Sequence, residues 1–224
     1  MKRSIITTKD GSKTIRLEDW NEHYHSTHGA IQEAMHVYIQ AGLDHYKELN
    51  SSVAFTVLEA GFGTGLNALL SCLWARKNKV QLDYIALEAY PISETEIGAL
   101  DYSKVLEEEN AESVYEQLHQ AKWEDWVEIS ESFRLEKQQG LFSDLNLKNV
   151  ADVVFYDAFG PRVQPELWEM SVFERFYNAL KPKGVLVTYS VKGTAKRALQ
   201  AIGFEVDIIE GPPGKRHMMR AYKP

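Results

Sequence analysis

Residues 56–67 read Thr-Val-Leu-Glu-Ala-Gly-Phe-Gly-Thr-Gly-Leu-Asn, and no other stretch narrows the possible folds as far. An apolar, β-branched run ends in an acid. Three glycines then alternate with single residues, and an apolar helix begins at Leu66. Glycine tolerates positive φ and lets a ligand approach the backbone closely. The helix N-terminus behind it offers free N–H groups. A strand, a glycine turn and a helix in this order form the place where an open α/β sheet binds a nucleotide-like cofactor. The dinucleotide fingerprint requires G-x-G-x-x-G, whereas this spacing is G-x-G-x-G with Leu66 at the last position. No Lys-Ser/Thr follows, which excludes a phosphate-cradling P-loop.

The pattern Glu59-x-Gly61-x-Gly63-x-Gly65 resembles motif I of the S-adenosylmethionine-dependent methyltransferases, in which the loop holds a methionine moiety. The rest of the chain alternates accordingly. Strands are predicted at 56–60, 82–88, 132–137, 152–157, 184–190, 204–209 and 217–222, and helices at 66–76, 93–121, 166–180 and 194–202. Such alternation implies an α/β domain whose parallel sheet is covered on both faces. Gly211-Pro212-Pro213-Gly214 is too tight for a crossover helix and joins the last two strands as an antiparallel hairpin. Seven strands with an antiparallel last strand resemble the class I methyltransferase (Rossmann-like) fold. Ahead of it, Lys9-Asp10-Gly11-Ser12 lies between two β-prone runs and predicts a hairpin. A helix from Gly29 to about Leu49 follows, with Ile31, Met35, Tyr38, Ile39 and Leu43 on one stripe. The expected division is an N-terminal arm over 1–50 and a methyltransferase domain over 51–224.

Cys72, the one cysteine, excludes an internal disulfide and lies in an apolar run, as a buried thiol in a reducing cytosol would. No apolar stretch approaches the roughly 20 residues that span a membrane, and Met1–Ile6 lacks the apolar core of a signal peptide. A cytoplasmic protein without a membrane partner is expected. The net charge of −7 argues against strong attraction to nucleic acid, but it is uneven: residues 88–145 hold 15 Asp/Glu against 4 Lys/Arg, and residues 181–224 hold 9 Lys/Arg against 3 Asp/Glu. A basic face on an acidic protein is compatible with this distribution.

Three acids stand at strand ends. Glu88 closes Tyr84-Ile85-Ala86-Leu87-Glu88, 27 residues after Gly61, where a carboxylate accepts hydrogen bonds from both ribose hydroxyls of a cofactor. Glu59 is placed to orient the glycine loop or the cofactor's amino group. Asp157 closes the apolar strand Val153–Tyr156 and is followed by Ala158-Phe159-Gly160-Pro161, so it belongs at the sheet's carboxyl edge with Phe159 and Pro161 as an apolar wall. Methylation of an amine suits that arrangement. The nucleophile must be the neutral amine, while an aliphatic ammonium with a pKa near ~10 is mostly protonated at neutral pH. A carboxylate can orient the ammonium and take its proton, which leaves in-line positioning as the remaining task. The plainer alternative for Asp157 is a helix N-cap. His23-x-His25-x-x-His28 has no cysteine partner, and this chemistry needs no metal, so no metal is expected; His25 is instead a candidate for the pocket wall.

Taken together, Tyr24-His25-Ser26 with Gly29-Ala30 and Glu33, Glu59–Asn67, Asp157–Pro161 with Gln164-Pro165-Glu166-Leu167-Trp168, and Gly211–Met219 resemble the methyltransferases that convert 5-aminomethyl-2-thiouridine to 5-methylaminomethyl-2-thiouridine at the tRNA wobble position. In many bacteria this unit is fused to an FAD-dependent oxidoreductase. The resemblance spans nearly the whole chain. It implies S-adenosylmethionine as cofactor, held by Glu59, Gly61, Gly63, Gly65, Asn67 and Glu88, and a substrate-amine role for Asp157. Tyr24, Ser26, Glu33, Phe159, Pro161, Lys192, Lys215 and Arg216 would face the tRNA anticodon loop. The acid that usually contacts the adenine amino group after the third strand is missing from Arg134–Gly140, and Asp144 or Gln139 is the substitute considered. The chain ends at Pro224, so a separate enzyme is expected to supply the aminomethyl precursor. Phosphates would be met by few cations, drawn from Arg162, Lys192, Lys196, Arg197, Lys215, Arg216 and Arg220, giving salt-sensitive binding. Specificity would come from burying one single-stranded base, with Phe159, Tyr156 or Trp168 available for stacking. Alternatives are a small-molecule N-methyltransferase or an aminopropyltransferase-like enzyme of the same fold, and a non-catalytic cofactor- and RNA-binding subunit.

Overall fold

The computed structural model describes residues 2–224. Its N-terminal arm holds strands β1 (Arg3–Thr7), β2 (Lys13–Leu17) and β3 (Glu22–His23), paired antiparallel in that order. The predicted helix over Gly29–Leu49 forms as one continuous rod. It consists of α1 (Ala30–Ala34), ten π-helical residues (Met35–Asp44) and α2 (His45–Leu49). Asp10 fastens the two halves of the arm: it accepts from the Ser12 and Gln32 amides at 3.0 Å each. The rod lies across the main sheet, with Tyr38 and Phe155 ring centroids 5.2 Å apart. Gly42 permits the close approach, because a Cβ there would lie 2.9 Å from the Phe155 ring.

The α/β unit contains β4 (Ala54–Ala60), α3 (Leu66–Asn78), β5 (Gln81–Glu88), α4 (Glu94–Leu100), α5 (Tyr102–Leu106), α6 (Ala111–Gln120), β6 (Trp126–Ser130) and β7 (Phe133–Gln139). It continues through β8 (Ala151–Tyr156), α7 (Met170–Ala179), β9 (Leu180–Thr188), α8 (Gly193–Ala201), β10 (Glu205–Glu210) and β11 (His217–Tyr222). The sheet order is β10-β11-β9-β8-β4-β5-β7-β6. Strands β9, β8, β4, β5 and β7 run parallel, and β11 is antiparallel to both neighbours, to β10 as the tight Gly-Pro-Pro-Gly turn requires. All six residues of β8 are buried, as expected of a central strand covered on both faces.

The sheet has eight strands, one more than the sequence reading gives. The extra one, β6, pairs antiparallel with β7 through an irregular register at the sheet edge. The predicted helix over 93–121 is three short helices. Asp101 and Glu107 end α4 and α5 with left-handed φ values of 59° and 50°, and Asn110, at 64°, precedes the start of α6. The predicted helix start at 166 is a short 3₁₀ turn, Pro165–Trp168, ahead of α7.

Two apolar layers flank the sheet. One holds Val57, Tyr84 and Phe155 together with Ile15, Leu17, Val37 and Tyr38 of the arm. The other holds Leu58, Val154 and Tyr156 with Phe173 and Phe176 of α7. Cys72 is 2% exposed in the first layer, and burial pushes its thiol up to about 11. The folded protein is therefore expected to resist a thiol reagent such as iodoacetamide at pH 8 and to react fully in denaturant. Fast labelling of the native chain would contradict this packing. No helix among the described residues is long and apolar enough to cross a membrane.

Candidate active site

Chain order reverses at β4: the chain first builds outward through β5 and β7, then returns to place β8 on β4's other side. Loops leaving the carboxyl ends of β4 and β8 diverge there, which opens a crevice at this switch point. A cavity of about 1130 Å³ occupies it. Its walls include Gly61, Phe62, Gly63, Thr64 and Asn67 from the glycine loop, Glu88 after β5, and Asp157 and Phe159 after β8. The arm adds Trp20, Glu22, Tyr24, His25, Ser26 and Glu33, and the C-terminal hairpin adds Lys215.

Gly61, Gly63 and Gly65 all take positive φ (96°, 52° and 74°). At Gly61 a Cβ would stand 3.1 Å from the Asp157 carbonyl oxygen, so the glycine is what lets the two loops touch. Gly65 caps α3 in the left-handed region and turns the chain into the helix instead of lining the cavity. Glu88 accepts from the Gly63 amide at 2.9 Å and from the Tyr90 amide at 2.7 Å.

Asn67 joins the two strand-end acids beneath the loop. Its Nδ2 donates to Glu59 Oε1 at 2.9 Å and to Asp157 Oδ2 at 2.8 Å. Glu59 is fully buried, and desolvation raises its carboxyl well above the ordinary range. Desolvation likewise lifts Asp157 to about 6, helped by the nearby Glu33 charge and opposed by Asn67 and Lys215. The Tyr38 hydroxyl lies beside Asp157 but meets no partner in hydrogen-bond geometry. Glu33 accepts from the Ser26 amide at 2.7 Å and forms an ion pair with Lys215, whose ammonium sits 3.9 Å over the Tyr189 ring. Tyr24 and Phe159 meet edge to face at 4.9 Å, with Trp20 on the other edge of Phe159 at 6.2 Å.

Of the residues singled out in the sequence, Tyr24, Ser26, Glu33, Gly61, Gly63, Asn67, Glu88, Asp157, Phe159 and Lys215 come together on this cavity. Others do not. Asp144 faces solvent at the end of a 3₁₀ turn and bonds its neighbour Ser143, so it does not fill the place of the missing acid; Ser143 and Leu141 line the wall there. Gln139 directs its backbone amide to Glu124. Pro161, Lys192 and Arg216 lie outside the lining, and Lys192 reaches back to the Pro161 carbonyl at 3.4 Å. Tyr156 is fully buried and bonds the Leu167 carbonyl, which removes it from base stacking. Trp168 is also core, and its indole holds the Phe159 carbonyl at 2.8 Å. Arg220 is committed to Tyr222 at 2.8 Å. His25, by contrast, does line the cavity, as the sequence reading expects; it is wedged between Thr14 and Thr64, and burial lowers its imidazole to about 4, so it stays neutral. Tyr189 was not anticipated, although it follows β9 at the sheet edge that made Asp157 a candidate.

S-adenosylmethionine carries an ammonium, a ribose diol and an apolar-faced purine, and these walls fit it. Asn67 Oδ1 is a buried acceptor without a protein partner on the glycine-loop side, whereas Glu59, expected among the cofactor contacts, lies outside the lining and holds Asn67 from beneath. Glu88 lines the cavity and would accept from the ribose hydroxyls. Tyr90 and Leu141 supply exposed apolar surface beyond it for the purine.

Known proteins give the same direction. The chain is 28% identical over 223 residues to the tRNA 5-methylaminomethyl-2-thiouridine biosynthesis bifunctional protein MnmC of Hydrogenovibrio crunogenus, covering 96% of this chain and 33% of that protein. It is 30% identical to the MnmC of Methylobacillus flagellatus over 88% of this chain and 32% of that one. The chain thus spans about a third of the length of the curated relatives it matches. The crystal structure of MNMC2 from Aquifex aeolicus superposes with a TM-score of 0.76 at 27% identity, covering 100% of this chain and 72% of that one. Spermidine synthase from Thermotoga maritima shares the fold, at a TM-score of 0.58 and 16% identity over 99% of this chain and 68% of that one. Residues 113–224, half of the chain, match the family described as S-adenosyl-L-methionine-dependent methyltransferase. With the Asp157 segment inside that match and a cradle suited to the same cofactor ahead of it, the chain belongs to the S-adenosyl-L-methionine-dependent methyltransferase family.

Proposed function

We propose that the protein methylates the exocyclic amine of 5-aminomethyluridine, with or without 2-thiolation, at the wobble position of tRNA. The observation that carries this reading is Asp157. Its carboxylate is presented to the cavity by a strand-end loop, is tied to the glycine loop through Asn67, and is poised near neutrality by burial. The similarity to MnmC proteins, named for 5-methylaminomethyl-2-thiouridine biosynthesis in tRNA, supports the choice of acceptor.

S-adenosylmethionine, when bound, supplies an electrophilic methyl group. The protein's own part is to present a neutral amine to it. Asp157 and Glu33 make the acceptor wall negative, which draws in the ammonium form. Asp157 then holds the proton that the amine gives up, directly or through water. Tyr24 and Phe159 supply aromatic surface on which a splayed-out pyrimidine can stack. Carbonyl, hydroxyl and ring atoms from the arm and the hairpin enclose the acceptor and keep bulk water from competing for its lone pair. The acidic wall would repel phosphate, so the tRNA backbone is met outside the cavity, where Lys196, Arg197 and Arg216 are candidates and Arg162 would first have to leave Glu22.

The decisive measurement is methyl transfer to tRNA bearing 5-aminomethyl-2-thiouridine, followed by mass spectrometry of its nucleosides. A single added methyl on the wobble nucleoside is expected, and none on tRNA in which that position is plain uridine. Methylation of a free metabolite in preference to this tRNA would overturn the reading.

A further inference from the structure

Lys137 has no part in the chemistry above, yet it is 1% exposed near the carboxyl end of β7. No carboxylate pairs with it; its single hydrogen bond runs to the His119 carbonyl at 2.8 Å. Its ammonium otherwise faces two rings, Trp123 at 4.8 Å and Phe62 at 5.4 Å from the centroids. A buried ammonium without a counter-ion is costly, and a methionine or leucine would pack at this position with less penalty. Ring faces recover part of that cost.

The groups it holds lead directly to the cofactor cradle. Phe62 is the residue between the first two glycines and lines the cavity. The His119 ring contacts Phe62 at 5.4 Å, and its Nε2 donates to the Thr64 carbonyl at 3.1 Å, beside the Tyr115 hydroxyl on the same oxygen. A Cβ at Gly65 would stand 2.9 Å from that nitrogen, so ring and loop are in close contact. We propose that Lys137 is a positioning residue for cofactor binding: its protonated amine fixes the Phe62 ring and, through His119, the Thr64 carbonyl, so cofactor affinity depends on that proton.

Desolvation brings the ammonium down to about 8, within reach of ordinary buffers. The groups around it do not mask its titration. His119 on α6 is held neutral by burial, at about 4. Glu124, beside Trp123, turns its carboxylate to the Gln139 amide at 2.7 Å. The residue paired with Lys137 on β5 is Ala86. Cofactor affinity is therefore expected to be full below the midpoint and to fall as pH rises through it.

The test is calorimetric binding of S-adenosylhomocysteine to the full chain at pH 7 and at about pH 9.5. Lys137→Met is expected to bind about tenfold more weakly at pH 7 while keeping its kcat once cofactor saturates. Wild type should weaken more than Lys137→Arg between the two pH values, because guanidinium keeps its charge. The ligand's own amine titrates alike in all three proteins and cancels in the comparison. Lys137→Met binding within twofold of wild type, or Lys137→Arg falling with pH as wild type does, would overturn the proposal. Should neither variant fold, reciprocal linkage still requires the ligand to raise the lysine's titration midpoint in ¹³C NMR; an unmoved midpoint would equally overturn it.

Discussion

Asp157→Asn is expected to cut methyl transfer by about 10²- to 10⁴-fold, the range for losing a positioned proton acceptor, while S-adenosylhomocysteine binding stays within about twofold. Asparagine keeps an oxygen for the Asn67 amide, so the tie to the glycine loop survives and only the basic oxygen is lost. The same group sets the acid side of the pH profile. Burial lifts the Asp157 carboxyl to about 6, and the active form is the carboxylate. The rate should therefore rise with pH through about 6 in the wild type, and that limb should vanish in the variant's residual activity. Turnover within threefold of wild type would remove Asp157 from the mechanism.

The second large effect is on the cofactor side. Glu88 spans two backbone amides, Gly63 on the glycine loop and Tyr90 on the next turn. Glu88→Ala takes away both ties and the acceptor proposed for the ribose. Hydrogen bonds to a charged group contribute ~1.5–3 kcal/mol each, so affinity should fall by about 10²-fold or more. Glu88→Gln should fall between wild type and Glu88→Ala. A calorimetric Kd unchanged in Glu88→Ala would show that the ribose lies elsewhere.

Much of this site was legible because it is local. The glycine spacing, the strand-end acids Glu59, Glu88 and Asp157 and the Gly-Pro-Pro-Gly turn each declare their geometry within a few residues. Strand ends in an alternating α/β chain fall on one sheet edge, which is why Glu88 and Asp157 could be named before their neighbours were known. What escaped depends on distant partners. β6 is a five-residue edge strand that exists only because β7 offers it a free side. The Glu33–Lys215 ion pair joins residues 182 positions apart in sequence. Lys137 reads as an ordinary surface charge on a strand until Phe62 and Trp123 close over it. Asp144 failed for a related reason: a side chain in a 3₁₀ turn points where the turn sends it, and this one sends it to solvent.

The rod of residues 30–49 carries Glu33 at one end of its length and Tyr38, Val37 and Gly42 along the rest, pressed onto β8 and β9. The wall proposed to meet the acceptor and the cover over half of the sheet are thus one object. An enzyme built this way cannot exchange its acceptor preference by swapping an appendage, because cutting at residue 50 would bare Phe155 and Val187 and undo the fold with the specificity. Change of acceptor on this frame is expected to proceed by single side chains, and the places open to it are those that face the cavity without bearing on the core: Glu22, Ser26 and Gln164.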